Sequence, residues 1–236
     1  FGEYTYGRWY TIKGQRPSDE TGTYRYKFDA PKSWAGQRVK IFFDGVMTDA
    51  EIMINGKPAG EMHQGGFYRF NYDITELLNL GKKNQLEVKV AKESANRSIN
   101  AAERKADWWL FGGIYRPVWL EVLPQVHMEH FVLNADHHGK LQVAVDMAGD
   151  AKGHEIIVSV RSLKDGKTVY TSNGQTTITH PINNSDKEQM ISGEWASIIP
   201  WSTENPNLYV AKLELKNPEG KIVQTRETRT GFRTVE

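Results

Sequence analysis

The sequence contains no cysteine. That single absence removes disulfide frameworks, thiolate zinc sites, iron–sulfur ligation and cysteine nucleophiles. It does not fix the compartment, because exported bacterial proteins also manage without cysteine. An excess of either charge is missing as well: 30 Lys plus Arg stand against 29 Asp plus Glu, a formal charge of +1 over 236 residues. Nucleic acid and anionic membrane surfaces recruit proteins through clustered positive charge that displaces counterions, so neither is expected as a partner. No run approaches the roughly 18 to 20 apolar residues of a membrane-spanning helix. The most apolar one, Trp108 to Ile114, is followed at once by Tyr115 and Arg116. No basic and then apolar signal segment opens the sequence, which fits either a protein that is never exported or a sequence that starts after its signal. G-x-G and G-x-S-x-G are absent too, leaving no phosphate-cradling loop or nucleophile elbow to argue from.

Helical periodicity is equally scarce, and a period of two takes its place. Leu86, Val88 and Val90 alternate with Glu87 and Lys89, and Val118, Leu120 and Val122 with Trp119 and Glu121, the spacing of half-buried antiparallel strands. Further strands are predicted at Thr23 to Asp29, Val39 to Phe43, Ala50 to Ile54 and Phe67 to Asn71. Asn55-Gly56 between two of these runs suits a type I′ hairpin turn, since both residues tolerate positive φ. One short helix is predicted over Asp73 to Gly81, with Asp73 as cap, Glu76 three residues on and Gly81 as stop. The polar stretch Lys92 to Lys105 lacks alternation and reads as a long rim loop or a helical turn.

After Pro124 a second series of strands is predicted: Met128 to Leu133, Leu141 to Met147, Glu155 to Ser162, Thr168 to Thr171, Leu208 to Leu215 and Ile222 to Thr230. Turns at Gly139, Asp165-Gly166 and Glu219-Gly220 separate them. About seven short strands in about 110 residues suit an immunoglobulin-like sandwich. The expectation is therefore an all-β chain of two sandwiches, residues 1–124 and 125–236, hinged near Pro124.

Metal chemistry finds little support. His127 and His130 are three apart on a strand and would face opposite sides, and His137-His138 beside Asp136 adds no ligand spacing of its own. The 26 aromatic residues say more. Several crowd into Tyr4 to Tyr10 and into Asp107-Trp108-Trp109-Leu110-Phe111. A sugar lays its apolar face on an aromatic ring while its hydroxyls bond Asp, Glu, Asn and Arg, so aromatics beside charges admit a saccharide surface. The same rings could simply fill a sandwich core.

Several ordered motifs resemble one family. Phe43-Asp44-Gly45-Val46, Ala50-Glu51-Ile52-Met53-Ile54-Asn55-Gly56, Gly60, Gly65-Gly66-Phe67, Phe70 and Tyr72-Asp73-Ile74-Thr75 resemble the amino-terminal domain of glycoside hydrolase family 2. The likeness extends upstream to Thr21 to Phe28 and downstream to Asp107-Trp108-Trp109-Leu110-Phe111-Gly112-Gly113-Ile114-Tyr115-Arg116-Pro117-Val118. In the second half it covers Pro200-Trp201-Ser202, Glu204 to Tyr209 and Gly231 to Glu236.

The resemblance implies a jelly-roll sugar-binding domain, then an immunoglobulin-like domain, then a (β/α)8 barrel holding the catalytic carboxylates. The family's acid/base follows Asn in an Asn-Glu pair, and no Asn-Glu dipeptide occurs here. The chain is thus expected to be the non-catalytic amino-terminal portion of a retaining, β-galactosidase-like exo-β-glycosidase. Its partners would be a carbohydrate substrate and the barrel of the same protein, with no cofactor. Homo-oligomers of the complete enzyme are compatible with the resemblance, and periplasmic or secreted placement follows family habit, with the cytoplasm left open. No catalytic residue is expected. The substrate contacts implied are Asp107, with Trp108 and Trp109 beside it; on an extended segment one indole would face the core and the other a sugar. Asp107 could equally be a loop-end cap. The family's Asn upstream of the Tyr24 segment has no match, which leaves a galactoside preference open. The alternative is a freestanding carbohydrate-binding or adhesion module.

Overall fold

The computed structural model describes residues 5–6, 21–103, 109–110 and 112–234. The chain is all-β, a jelly-roll sandwich followed by an immunoglobulin-like sandwich, and it divides into two compact units, Phe1–Val122 and Leu123–Glu236.

In the first unit, one sheet runs in the order Thr21–Ala30, Lys82–Ala91, Asp49–Ile54, Lys57–Pro58, and a second in the order Val118–Pro124, Gln37–Phe43, Phe70–Asp73. Alternation places Leu86, Val88 and Val90 with Ile52 and Ile54 on the inner side of one sheet, and Val39, Ile41 and Phe43 on that of the other. These side chains form one apolar cluster, and removing them from water is the main force holding the unit together. The hairpin turn takes positive φ at Asn55 (52°) and Gly56 (79°), as the dipeptide predicts.

Two predicted elements differ. The helix over Asp73 to Gly81 shrinks to a 3-10 turn, Thr75–Leu77. In an α-helix the Asn79 N–H would return to the Thr75 carbonyl. Here it donates to Asn84 Oδ1 at 2.7 Å, and Asn84 Nδ2 donates back to the Asn79 carbonyl at 3.2 Å. The Asn84 side chain thus takes the groups a helix needs. The strand predicted from Phe67 begins at Phe70, where Phe43 pairs with it. Arg69 instead turns its guanidinium to Asp44, with Nε–Oδ1 2.7 Å.

In the second unit a three-stranded sheet, His127–Ala135, Lys140–Ala148, Glu188–Glu194, faces a five-stranded one. The latter runs Thr168–Val169, Glu155–Ser162, Tyr209–Lys216, Ile222–Thr230, with Thr177–Pro181 also on Glu155–Ser162. Strands Thr177–Pro181 and Glu188–Glu194 carry too few apolar residues to stand out in sequence. The core packs Val143 and Val145 with Ile156, Val158, Leu213, Trp195 and Phe232. His127 is buried while His130 is exposed. His127 Nδ1 lies 2.8 Å from the Pro124 carbonyl and Nε2 2.9 Å from Glu129 Oε2.

Candidate functional site

Of the sequence-predicted contact residues, Asp107 and Trp108 lie outside the described residues. Trp109 opens the short strand Trp109–Leu110, paired with Thr5–Tyr6; its side chain is outside the description. What is visible is the frame on either side of that segment.

Upstream stands the helix Arg97–Glu103, the only α-helix among the described residues. Its start is set by Asn96, whose Oδ1 accepts the Ser98 N–H at 2.9 Å, a side-chain cap that satisfies an otherwise orphaned donor. Asn100 ties the preceding loop by exchanging bonds with the Ser94 main chain, 2.9 and 2.6 Å. The helix delivers Glu103 into the interior at 6% exposure, where Oε2 accepts the Gly66 N–H at 2.8 Å.

Downstream, Gly113–Ile114 pairs with Val46–Met47. The Tyr115 hydroxyl donates to the Gly66 carbonyl, so the peptide units around Gly66 are held from both flanks. Burial raises the Tyr115 pKa, partly offset by the Arg116 charge.

The surroundings of the turn at residues 63–66 are polar and enclosed. Asp49 is 5% exposed; its Oδ2 accepts the Ala95 N–H (2.8 Å) and Gln64 Nε2 (3.1 Å), whereas Oδ1 has no partner among the described residues. His63 exchanges main-chain bonds with Ala50, stacks on Phe70 at 3.6 Å, and donates from Nε2 to the Gly65 carbonyl at 2.9 Å. Burial pushes the His63 pKa down, against the opposite pull of the Gly65 carbonyl and the charges of Glu103 and Asp49. Two buried carboxylates therefore bear on the turn at residues 63–66.

The turn itself needs glycine. Gly65 has φ +116°, and a Cβ there would stand 2.8 Å from Tyr68 Cδ2 and 3.5 Å from Glu103 Oε1. Tyr68 rests against it at 62% exposure.

Beside this turn, Asp44 Oδ1 accepts Trp119 Nε1 at 3.2 Å and Arg69 Nε at 2.7 Å, and Phe42 stacks on Trp119 at 4.2 Å. The indole N–H, with Arg69 and Arg116, holds the Asp44 carboxyl below its ordinary pKa. Arg116 Nη1 reaches the Asp44 carbonyl at 3.4 Å. Trp119 thus already has a ring and a cation against it and offers little to a ligand. In the second unit Trp201 is likewise covered, with the Arg233 guanidinium 5.1 Å from its ring centre.

Sequence reasoning missed Asp49, Gln64, Tyr68 and Glu103. Only Gly65-Gly66, already conspicuous, could have drawn attention to Tyr68. Nothing local marks Glu103 as buried.

Comparison with known proteins gives a consistent picture. The family model described as the sugar binding domain of glycosyl hydrolases family 2 matches residues 3–124, and the one described as glycosyl hydrolases family 2 matches residues 126–233. A β-galactosidase of Thermoanaerobacter pseudethanolicus is 29% identical over 90% of this chain and 28% of its own length. A putative β-glucuronidase of Formosa agariphila is 31% identical over 91% and 19% respectively. The solved β-glucuronidase 2 of Bacteroides uniformis, covalently bound to cyclophellitol-6-carboxylate aziridine, superposes with a TM-score of 0.71 at 25% identity, covering 91% of this chain and 26% of that one. The chain therefore spans 19% to 28% of the length of these relatives.

Proposed function

The chain belongs to glycosyl hydrolase family 2, and from that premise we propose that it is the non-catalytic amino-terminal portion of a retaining exo-β-glycosidase of β-galactosidase type. The observation that carries this reading is the coverage. Two family models account for residues 3–233, while relatives named β-galactosidase and β-glucuronidase are several times longer. Retaining hydrolysis needs an acid/base and a nucleophile about 5 Å apart in one pocket. In this reading a following (β/α)8 barrel supplies both, and the jelly-roll unit contributes one wall of the pocket through the segment flanked by Glu103 and Gly113.

Asp107 then accepts hydrogen bonds from substrate hydroxyls, and Trp108 and Trp109 offer ring faces. Loops at the edge of a rigid sandwich suit that task, because they can reach a neighbouring pocket without disturbing the core.

Two experiments test this. The purified chain should not hydrolyse nitrophenyl β-galactoside, β-glucuronide or β-mannoside, and measurable turnover of any of them would sink the reading. In the complete protein, Asp107→Ala should lower kcat/KM by roughly ten- to a hundredfold, the loss of one charge-assisted bond, with little change in Tm. Unchanged activity would return Asp107 to a capping role.

A further inference from the structure

Tyr68 is the least explained side chain of the first unit. It is 62% exposed, yet it is not a loose surface residue, since its ring carbons Cδ2 and Cε2 stand 2.8 and 2.9 Å from the point where a Gly65 Cβ would sit. A side chain at position 65 would occupy the ring's place, so the absence of a Cβ is what lets the ring settle there, and the φ of +116° separately favours glycine. Among the described residues, no ring or polar group partners the Tyr68 side chain.

Glu103 approaches the same point. Its Oε2 is committed to the Gly66 N–H at 2.8 Å, and its Oε1 lies 3.5 Å from the Gly65 Cβ position. No described donor reaches Oε1, although Glu103 is only 6% exposed. An ionised carboxylate accepts through both oxygens, so Oε1 can take a further donor. Asp49 Oδ1 differs, being sealed from solvent and without a partner among the described residues. An aromatic ring open to solvent and the Glu103 Oε1 oxygen therefore both lie against Gly65.

We propose that Tyr68 and Glu103 form a subsite for one pyranose ring of a β-linked saccharide. The apolar face of the sugar lies on Tyr68, and a hydroxyl of the same ring donates to Glu103 Oε1. A pyranose supplies both needs at once, an apolar face and O–H donors at its edge. An aliphatic or aryl group would cover the ring and leave the carboxylate oxygen unanswered. The subsite rests on the glycosidase reading in that its sugar is a further unit of the parent enzyme's substrate. The ligand class is accordingly a disaccharide or longer glycan.

The test uses the chain itself, with lactose and cellobiose as probes and the Tyr68 ring protons followed by NMR. At least one disaccharide should shift those resonances, saturating in the millimolar range. Tyr68→Ala should weaken binding about tenfold, the scale of one aromatic contact, while Tyr68→Phe, which keeps the ring face, should stay within about twofold. No shift with either sugar, or binding unaffected by Tyr68→Ala, overturns the subsite. So does a lowered Tm of the complete protein carrying Tyr68→Ala with saccharide binding intact, which would make the ring a contact between domains. Turnover of nitrophenyl glycosides by the complete protein tests the parent reading separately. Turnover without disaccharide binding defeats the subsite alone, and disaccharide binding through Tyr68 without turnover defeats the parent reading alone.

Discussion

Asn84 offers the sharpest quantitative test of how the first unit is held together. It is 1% exposed in strand Lys82–Ala91, and its amide is fully used. Oδ1 accepts the Asn79 N–H at 2.7 Å and Asn55 Nδ2 at 2.8 Å, while Nδ2 donates to the carbonyls of Asn79 at 3.2 Å and Lys82 at 3.0 Å. Asn84→Leu keeps the approximate shape and removes all four bonds. At about 1 kcal/mol each the gross loss is about 4 kcal/mol. Water reaching the exposed Asn79, together with the added apolar side chain, recovers part of it, leaving a destabilisation of about 2–3 kcal/mol. For a unit of this size that lowers Tm by about 10 °C. Because the chain divides into two compact units, amide exchange in strand Lys82–Ala91 is read alongside the melt, to report on the first unit directly. The neighbouring exposed Gln85→Leu is the control and should change stability by no more than about 0.5 kcal/mol. If Asn84→Leu costs no more than that control, the amide is not the clasp argued here.

Gly65→Ala should destabilise the unit by about 1–3 kcal/mol, because the residue would sit in a strained region of φ, ψ. It should also displace the Tyr68 ring, visible as a change in its NMR shifts; an unchanged ring would refute the contact. Trp119→Phe removes the indole N–H from Asp44, so the Asp44 carboxyl should titrate at higher pH, closer to its ordinary value, in a carboxyl-detected NMR titration. The folded-state pKa of Asp44 is lowered, so its contribution to stability is present above the unfolded value and is lost as pH falls through the folded one. The Trp119→Phe variant should therefore lose less stability on acidification than the wild type. An Asp44 titration indifferent to the substitution would contradict the assignment.

The parts of the molecule that sequence revealed are those governed by a local rule. Alternation depends on neighbours two residues apart, so Leu86, Val88 and Val90 announce both their strand and its inner face. Asn55-Gly56 announces its turn because positive φ is a property of those two residues. The failures begin where a distant side chain competes with a local preference. Asp73 to Gly81 carries helical signals at both ends, yet Asn84, five residues past Asn79, captures the groups that would have continued the helix.

The rim is the extreme case of the same competition. Asp49, His63, Gln64, Ser94 and Glu103 come from four separate stretches and meet only because strand Asp49–Ile54 lies beside Lys82–Ala91 and the helix folds back on the Gly65-Gly66 turn. None of them is unusual in its own window, and a polar run such as Lys92 to Lys105 gives no sign that its Glu103 is buried. A buried carboxylate costs stability unless something answers it. Part of the answer is visible in the Gly66, Ala95 and Gln64 donors. Asp49 Oδ1, sealed from solvent and without a partner among the described residues, is left as a cost that the rest of the fold carries, so the proposed saccharide contact on this turn rests on Glu103 Oε1 alone.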